Sequence, residues 1–451
     1  MNKYLISPLL LSLLLQGCGG SSSSSPEVPV DPVEYTFSLT AQLTNDCGVA
    51  SAFTDVELLL QDETWQTLNT YKADDNGVIS FVTTSEFINY TLVAKDQQGS
   101  EAQGLNVVSF YQGSSATPSH YQARFDELVD NTTCECVTQN LELSHRPFVT
   151  QTDVTSSLAF DNWTEVDDST TLFEGVKVCR AVEGEWPLHS FSVKGTDANL
   201  KVIAAADFSD DFSENVAGVW SLSAFQVADA VDLAMPHQDF NTNQLIKGIK
   251  HFPIAVTKDD DSLLVFSTHD HISEAYYQSQ ASVTFDESSS IFGSSVIKTH
   301  QQVISTTATD SFLVKANEQK PPIDDRNFSE IKEDGNYDYS AVSGYPMAVI
   351  SFTFTAYDPD TSLLMPAKWT FYGPEQGILA ISADLTGYKD IINIDTDKKS
   401  TDIHLMKSMM TNNYQGYIKY YQGGNTVESA LDASNDFVKK LDEVEISIKL
   451  K

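Results

Sequence analysis

The residues nearest to a chemical pattern lie mid-chain. Thr268-His269-Asp270-His271, with Glu274 just beyond, sets two imidazoles two positions apart. In a strand such residues share a face, so both rings could reach one Zn²⁺. A third ligand would come from Glu274 or from the more distant His237 or His251. The same stretch reads more simply as a polar turn after a strand at Leu263–Ser267. Two acidic clusters, Asp207-Phe-Ser-Asp210-Asp211-Phe-Ser-Glu214 and Asp259-Asp260-Asp261, carry the oxygens that Ca²⁺ prefers. Each reads better as a loop, the second as a hairpin connection. No cofactor is demanded by these residues. Zn²⁺ at the histidines and Ca²⁺ at the carboxylates are the ions they would take.

Other chemistry is thinner. The chain has no Gly-x-Ser-x-Gly elbow, no glycine-rich phosphate loop and no His-Glu-x-x-His. Asp395-x-Asp397 opens like an EF-hand loop, but Lys399 and a missing central glycine break it. Tyr276-Tyr277, Tyr420-Tyr421 and Trp369–Tyr372 could stack on sugars or peptides. Aromatic residues in strands are more often core or cross-strand pairs. The sequence therefore leans away from an enzyme and names no catalytic residue.

The cysteines are more informative. An apolar run, Leu5–Leu15, follows Lys3 and ends in Leu15-Gln16-Gly17-Cys18. The run has the length of a signal-peptide core and is too short to cross a bilayer of roughly 30 Å. The ending resembles the bacterial lipoprotein signal, with Leu at −3, a small residue at −1 and an obligatory Cys. That resemblance implies cleavage before Cys18, diacylglycerol on its thiol and an acyl chain on its new amino group. Several chains are what stable anchoring needs. Gly19, where an Asp would retain a lipoprotein in the inner membrane, implies sorting to the outer membrane of a Gram-negative envelope. Which face the protein takes, periplasmic or cell-surface, is left open. Residues 18–34 continue as GGSSSSSPEVPVDPVE after the cysteine, a flexible tether stiffened by Pro26, Pro29 and Pro32.

Cys47, Cys134, Cys136 and Cys179 remain. An exported chain makes two disulfides the default. Joining Cys134 to Cys136 would close a very small ring, and in a strand their side chains point the same way. Each is therefore expected to pair outward, one with Cys47 and one with Cys179. With no nearby His or third Cys, the Cys-x-Cys pair lacks the ligands of a metal site.

Composition bounds the rest. A formal net charge of −36 over 451 residues argues against nucleic acid, which needs clustered Lys and Arg. Hydrophobic content of 41%, with 24 Phe and 18 Tyr, supports real cores. No second apolar run approaches twenty residues, so the lipid on Cys18 is the expected contact with the membrane.

The elements that would carry these groups are mainly β. Tyr35–Thr44, Asp55–Gln61, Trp65–Tyr71, Val78–Thr83 and Tyr90–Lys95 read as short strands separated by turns, the sharpest at Asp74-Asp75-Asn76-Gly77. The run from Trp65 through Asn76-Gly77 to Phe81, followed by Tyr90-Thr-Leu-Val-Ala, resembles carboxypeptidase-regulatory-like (transthyretin-like) sandwich domains. That implies an Ig-like or transthyretin-like β-sandwich over residues 35–143, structural or binding in role.

Residues 144–320 read as a β-rich middle domain. Strands are expected at Ser190–Val193, Leu200–Ala205, Ala255–Thr257, Leu263–Ser267 and Ala281–Phe285. Short helices are expected at Val227–Met235 and near Gln244–Lys250. A loop or linker at 321–340 precedes a β-rich region at 341–451, either a further domain or one with 144–320. There Ile350–Ala356 and Val444–Leu450 alternate cleanly, Gly377–Leu385 is a further candidate strand, and Tyr417–Tyr421 runs into a turn at Gln422-Gly423-Gly424. The expected function is a lipid-anchored envelope protein that binds or scaffolds, its partners being envelope proteins or an extracellular polymer. The alternative is an anchored hydrolase, metal-dependent through His269 and His271.

Overall fold

The computed structural model describes residues 32–97, 103–123, 129–145, 150–224, 226–232, 240–246, 254–256, 258–259, 262–266, 275–290, 293–305, 314, 317–323, 335–358, 363–380, 385–392, 396, 398–408, 411, 413–424 and 440–450. The chain is mainly β. Eight strands come first: β1 (Tyr35–Thr44), β2 (Ala50–Ala52), β3 (Val56–Gln61), β4 (Thr67–Lys72), β5 (Val78–Thr83), β6 (Phe87–Gln97), β7 (Gln103–Ser114) and β8 (Ser119–Ala123). In β1, Phe37, Leu39, Ala41 and Leu43 turn inward and alternate with Ser38, Thr40 and Gln42. The Asn76-Gly77 turn forms as expected. Asp74 accepts from the amides of Asn76 and Val78, and Gly77 takes φ +72°. A Cβ there would stand 2.3 Å from the Ala41 carbonyl oxygen, so both backbone and space require glycine.

The middle of the chain forms β9 (Cys134–His145), β10 (Thr150–Ser156), β11 (Asn162–Asp167), β12 (Thr170–Ala181), β13 (His189–Thr196), β14 (Val202–Ser209) and β15 (Val219–Ala224). Strands β11-β12-β9-β15 make one sheet, and β10-β13-β14 make another with β16 (Gln226–Val227). Leu141, Phe173 and Trp220 of the first sheet meet Phe191 and Val193 of the second, with Phe212 between, so the two enclose one core. The disulfides are Cys47–Cys134 and Cys136–Cys179. Cys136 and Cys179 face each other across β9 and β12. Cys47 ties the β1–β2 turn to the start of β9.

The remaining strands are β17 (Asp229–Asp232), β18 (Phe240–Ile246), β19 (Ile254–Val256), β20 (Lys258–Asp259), β21 (Ser262–Val265), β22 (Ala275–Ser290), β23 (Gly293–Ser305), β24 (Asn336–Asp338), β25 (Met347–Asp358), β26 (Leu363–Gly373), β27 (Gln376–Ile378), β28 (Lys398–Ser408) and β29 (Lys440–Leu450). Among the described residues the largest sheet has twelve strands in the order β19-β18-β22-β23-β29-β28-β25-β26-β7-β6-β3-β4. It is antiparallel except where β26 meets β7. That parallel pairing joins the segment expected as a sandwich over 35–143 to the segment expected over 341–451.

Each face of the sheet carries a packed core over part of its extent. On one, β1, β5 and β8 pack with the helix α1 (Tyr414–Gln422) around Phe37, Leu58, Tyr90, Met347 and Tyr417. On the other, Ile350, Phe352, Trp369, Ile403, Val444 and Ile446 meet Tyr339, Leu379 and Ile392.

Three local expectations are corrected. Residues 226–227 and 229–232 are strands, not the start of a helix, because β14 and β21 offer them backbone partners. Gln244–Ile246 belongs to β18, paired with β22, and is not helical. Tyr417–Tyr421, in a region expected to be β-rich, lies in α1, and the expected turn follows it at Gly423-Gly424. Asn413 caps α1 by accepting from the Gly416 amide, and Tyr417, Ile418, Tyr421 and Gln422 form its buried stripe.

A buried hydrogen-bond relay crosses the sheet. The Trp369 indole donates to Ser109 Oγ (2.8 Å), which lies 2.7 Å from Thr91 Oγ1. Thr91 donates to Gln61 Oε1 (2.6 Å), and Gln61 Nε2 donates to the Trp65 carbonyl (3.0 Å). The Trp65 indole then donates to the Ile378 carbonyl at 3.0 Å. Each of these side chains through Trp65 is buried, so every polar atom in the relay needs its partner.

Candidate functional site

Cys18, His237, His251, His269, His271 and Glu274 lie outside the described residues. Asp259 is in β20 and pairs with Ser262 of β21, as a hairpin connection would; Asp260 and Asp261 are outside the described residues. In the Asp207–Glu214 stretch, Phe212 is fully buried in the middle core and the Ser213 carbonyl accepts from the Trp220 indole at 2.9 Å. The loop expectation holds only from Asp210 on, where Phe212 anchors the chain; Asp207–Ser209 is the end of β14, paired with β13. Among the described residues, the one set of three metal-ligating atoms within 4.8 Å of one another is Asp46 with Cys136 and Cys179. Both sulfurs there are committed to a disulfide. Tyr277, Trp369 and Tyr421 are core residues and present no free ring face.

A cluster that sequence reasoning missed lies across β23, β29 and β28. Alternation puts Glu443, Glu445 and Ser447 on one face of β29 and Val444 and Ile446 in the core on the other. Register sets His300 opposite Glu443 and His404 opposite Glu445. The hydrogen bonds cross that register. His300 Nε2 meets Glu445 Oε2 at 2.7 Å, and His404 Nδ1 meets Glu443 Oε1 at 2.5 Å. Ser447 donates to Glu445 Oε1 at 3.1 Å, and Lys298 Nζ is 3.9 Å from the same oxygen.

The electrostatics follow from these contacts. The hydrogen bond from His300 holds the Glu445 carboxyl down to about 2, against burial and with help from Lys298 and Ser447. Burial opposes charge on His404, but its bond to Glu443 and the nearby Glu445 and Asp402 outweigh it and raise its pKa. The sign for Glu445 is that of a lowered carboxylate. Its stabilising effect is present above the unfolded value of 4.5 and is lost as pH falls toward about 2. Glu445→Gln is expected to cost about 1–2 kcal/mol at pH 7, less than the whole shift because water reaches the pair. Urea titrations at pH 7 and pH 2 check this; the difference should nearly vanish at the lower pH.

A cleft of about 220 Å³ opens between the β3–β4 turn and the β24–β27 ribbon, walled by Glu63, Trp65, Tyr111, Tyr337, Pro374 and Ile378. A shallower groove with Asn336, Asp338 and Gln376 continues along the ribbon and shares Tyr337 and Ile378. Tyr337 donates to the Pro374 carbonyl at 3.0 Å, which fixes its ring in the wall. Carboxylates and amides beside apolar walls suit a ligand bearing hydroxyl or amide groups.

No protein-family model matches the chain, and no curated protein matches it.

Proposed function

We propose that the chain is a lipid-anchored protein of a Gram-negative outer membrane that binds rather than catalyses. Its partner is an envelope protein or an extracellular polymer. The observation that carries this is the seam Leu15-Gln16-Gly17-Cys18, an apolar run ending on a cysteine and followed at once by a Ser- and Pro-rich tether. The pairing of the other four cysteines supports an oxidising compartment. The transthyretin-like resemblance of the Trp65–Ala94 stretch supports a binding or structural module. The small cleft between that stretch and the β24–β27 ribbon offers a place to hold a ligand.

Fractionation of a Gram-negative host tests the anchor. The wild type should sediment with outer membranes, and Cys18→Ser should move to the soluble fraction or keep its signal peptide. A Cys18→Ser protein that is processed and still sediments in detergent-sensitive form would contradict the proposal.

A further inference from the structure

We propose that the cleft walled by Glu63, Trp65, Tyr111 and Tyr337 takes a lysine side chain from a polypeptide partner. The inference rests on the binding role proposed above and names the ligand class for it.

The wall asks for donors and positive charge. The Trp65 indole is spent on the Ile378 carbonyl at 3.0 Å, and the Tyr337 hydroxyl on the Pro374 carbonyl at 3.0 Å. Each of those carbonyl oxygens keeps a second lone pair. Glu63, exposed in the same wall, adds a carboxylate. Among the described residues, neither the cleft nor the adjoining groove is lined by Lys, Arg or His. What the wall leaves to a ligand is mainly acceptors, and an ammonium brings only donors.

The rings favour the same group. An aromatic face attracts a cation. Trp65 and Tyr111 stand 6.3 Å apart by ring centroid, with Tyr337 in the same wall. Of these rings Tyr111 is the one partly exposed, so an entering cation meets it first. Pro374 and Ile378 give apolar surface for a methylene stem. A volume of about 220 Å³ equals about seven waters at ~30 Å³ each, which suits a slender side chain. A sugar ring presents hydroxyl groups that both donate and accept, and this wall answers mainly the first.

The wall is also set in advance. Asp62 Oδ1 accepts from the amides of Thr64 and Gln66 at 2.8 and 2.9 Å, which locks the turn that carries Glu63. Trp65 holds φ +64°, uncommon for a bulky residue, with its amide donating to the Asp62 carbonyl and its carbonyl accepting from Gln61. Filling such a site orders little that is not already ordered. In the adjoining groove the side-chain amides of Asn336 and Gln376 suit peptide groups on either side of the lysine. The net charge of −36 draws a basic partner from a distance.

Ligand-observed NMR of the full chain in detergent, at physiological salt, tests the site. The probe is a Gly-Gly-Lys-Gly-Gly peptide capped at both ends. Saturating the protein's aromatic protons should mark the lysine ε-methylene above the glycines. Titration should show the Nε-acetylated peptide binding about 10-fold more weakly or worse. Glu63→Gln should weaken the lysine peptide about 5-fold and Tyr111→Leu about 3-fold. Glu165→Gln, which removes an equal charge from the exposed strand β11, should change nothing. An unmarked ε-methylene, equal binding of the acetylated peptide, or equal effects of Glu63→Gln and Glu165→Gln would each overturn the proposal. Glucosamine displacing the peptide as readily as n-butylamine does would overturn the assignment to a polypeptide. None of these results alters the Cys18 fractionation, so the two readings fail separately.

Discussion

Trp369→Ala is expected to lower stability by about 3–5 kcal/mol, the cost of emptying a fully buried indole site. Trp369 is 1% exposed and packs in the core where β25, β26, β28 and β29 meet Tyr339, Leu379 and Ile392. The loss is also polar. Its indole heads the relay through Ser109, Thr91 and Gln61 to the Trp65 carbonyl. Without it Ser109 Oγ loses its donor in a dry interior. Trp369→Phe separates the two contributions, since it keeps most of the packing and deletes the N–H. It should cost about 1–3 kcal/mol, clearly less than alanine. Urea midpoints of the two variants give the comparison. A Trp369→Ala cost below about 1 kcal/mol would mean that this part of the sheet is not packed as described.

Removing the Cys47–Cys134 bond by the double substitution Cys47→Ser/Cys134→Ser should cost about 2–4 kcal/mol. The bond closes a loop of sequence separation 87, against 43 for Cys136–Cys179. A longer loop constrains the unfolded chain more. The two bonds also differ in what backs them up. Cys136 and Cys179 sit opposite each other in a ladder that runs unbroken from Val176↔Gln139 to Ala181↔Cys134 and holds without the sulfurs. The β1–β2 turn is otherwise held by hydrogen bonds from the Asn45 side chain to Asp130 and Thr133, one from the Asp46 amide to Asn131 Oδ1, and a Lys177–Asp46 ion pair at 2.6 Å. All of these are exposed and individually weak. Cys136→Ser/Cys179→Ser is therefore the milder variant. Equal costs, or a smaller one for Cys47–Cys134, would count against this assignment of roles.

Much of the fold is legible along the chain because strands write themselves with period two. The inward row Phe37-Leu39-Ala41-Leu43, the row Ile350-Phe352-Phe354 and the closing row Val444-Ile446 all sit where alternation puts them. Asn76-Gly77 announces its turn. That Cys134 and Cys136 pair outward follows from strand geometry and from the small ring they would close; which takes Cys47 and which Cys179 is set by the β9–β12 register. What escapes is decided by partners distant in sequence. Val227, Val231 and their neighbours fit a helical spacing, yet the edges of β14 and β21 hold them as strands. Tyr414–Gln422 falls in a region that reads as β-rich, and its helix is not foreseen. The signal that could have found the helix is Asn413 before a stripe at 417, 418, 421 and 422, with Gly423 after it. The His–Glu cluster is invisible for the same reason. Glu443 and Glu445 stand out as the polar half of β29, but nothing near them in sequence says that His300 and His404 flank them.

The central claim is that Cys18 carries the protein on a membrane outside the reducing cytoplasm. Intact-mass analysis of the detergent-extracted protein after alkylation, without reduction, tests it most directly. The expected mass is that of residues 18–451 plus a diacylglycerol and an acyl chain, with no alkyl group on Cys47, Cys134, Cys136 or Cys179. An unlipidated chain whose Cys18 is alkylated, or one that starts elsewhere, would contradict the account.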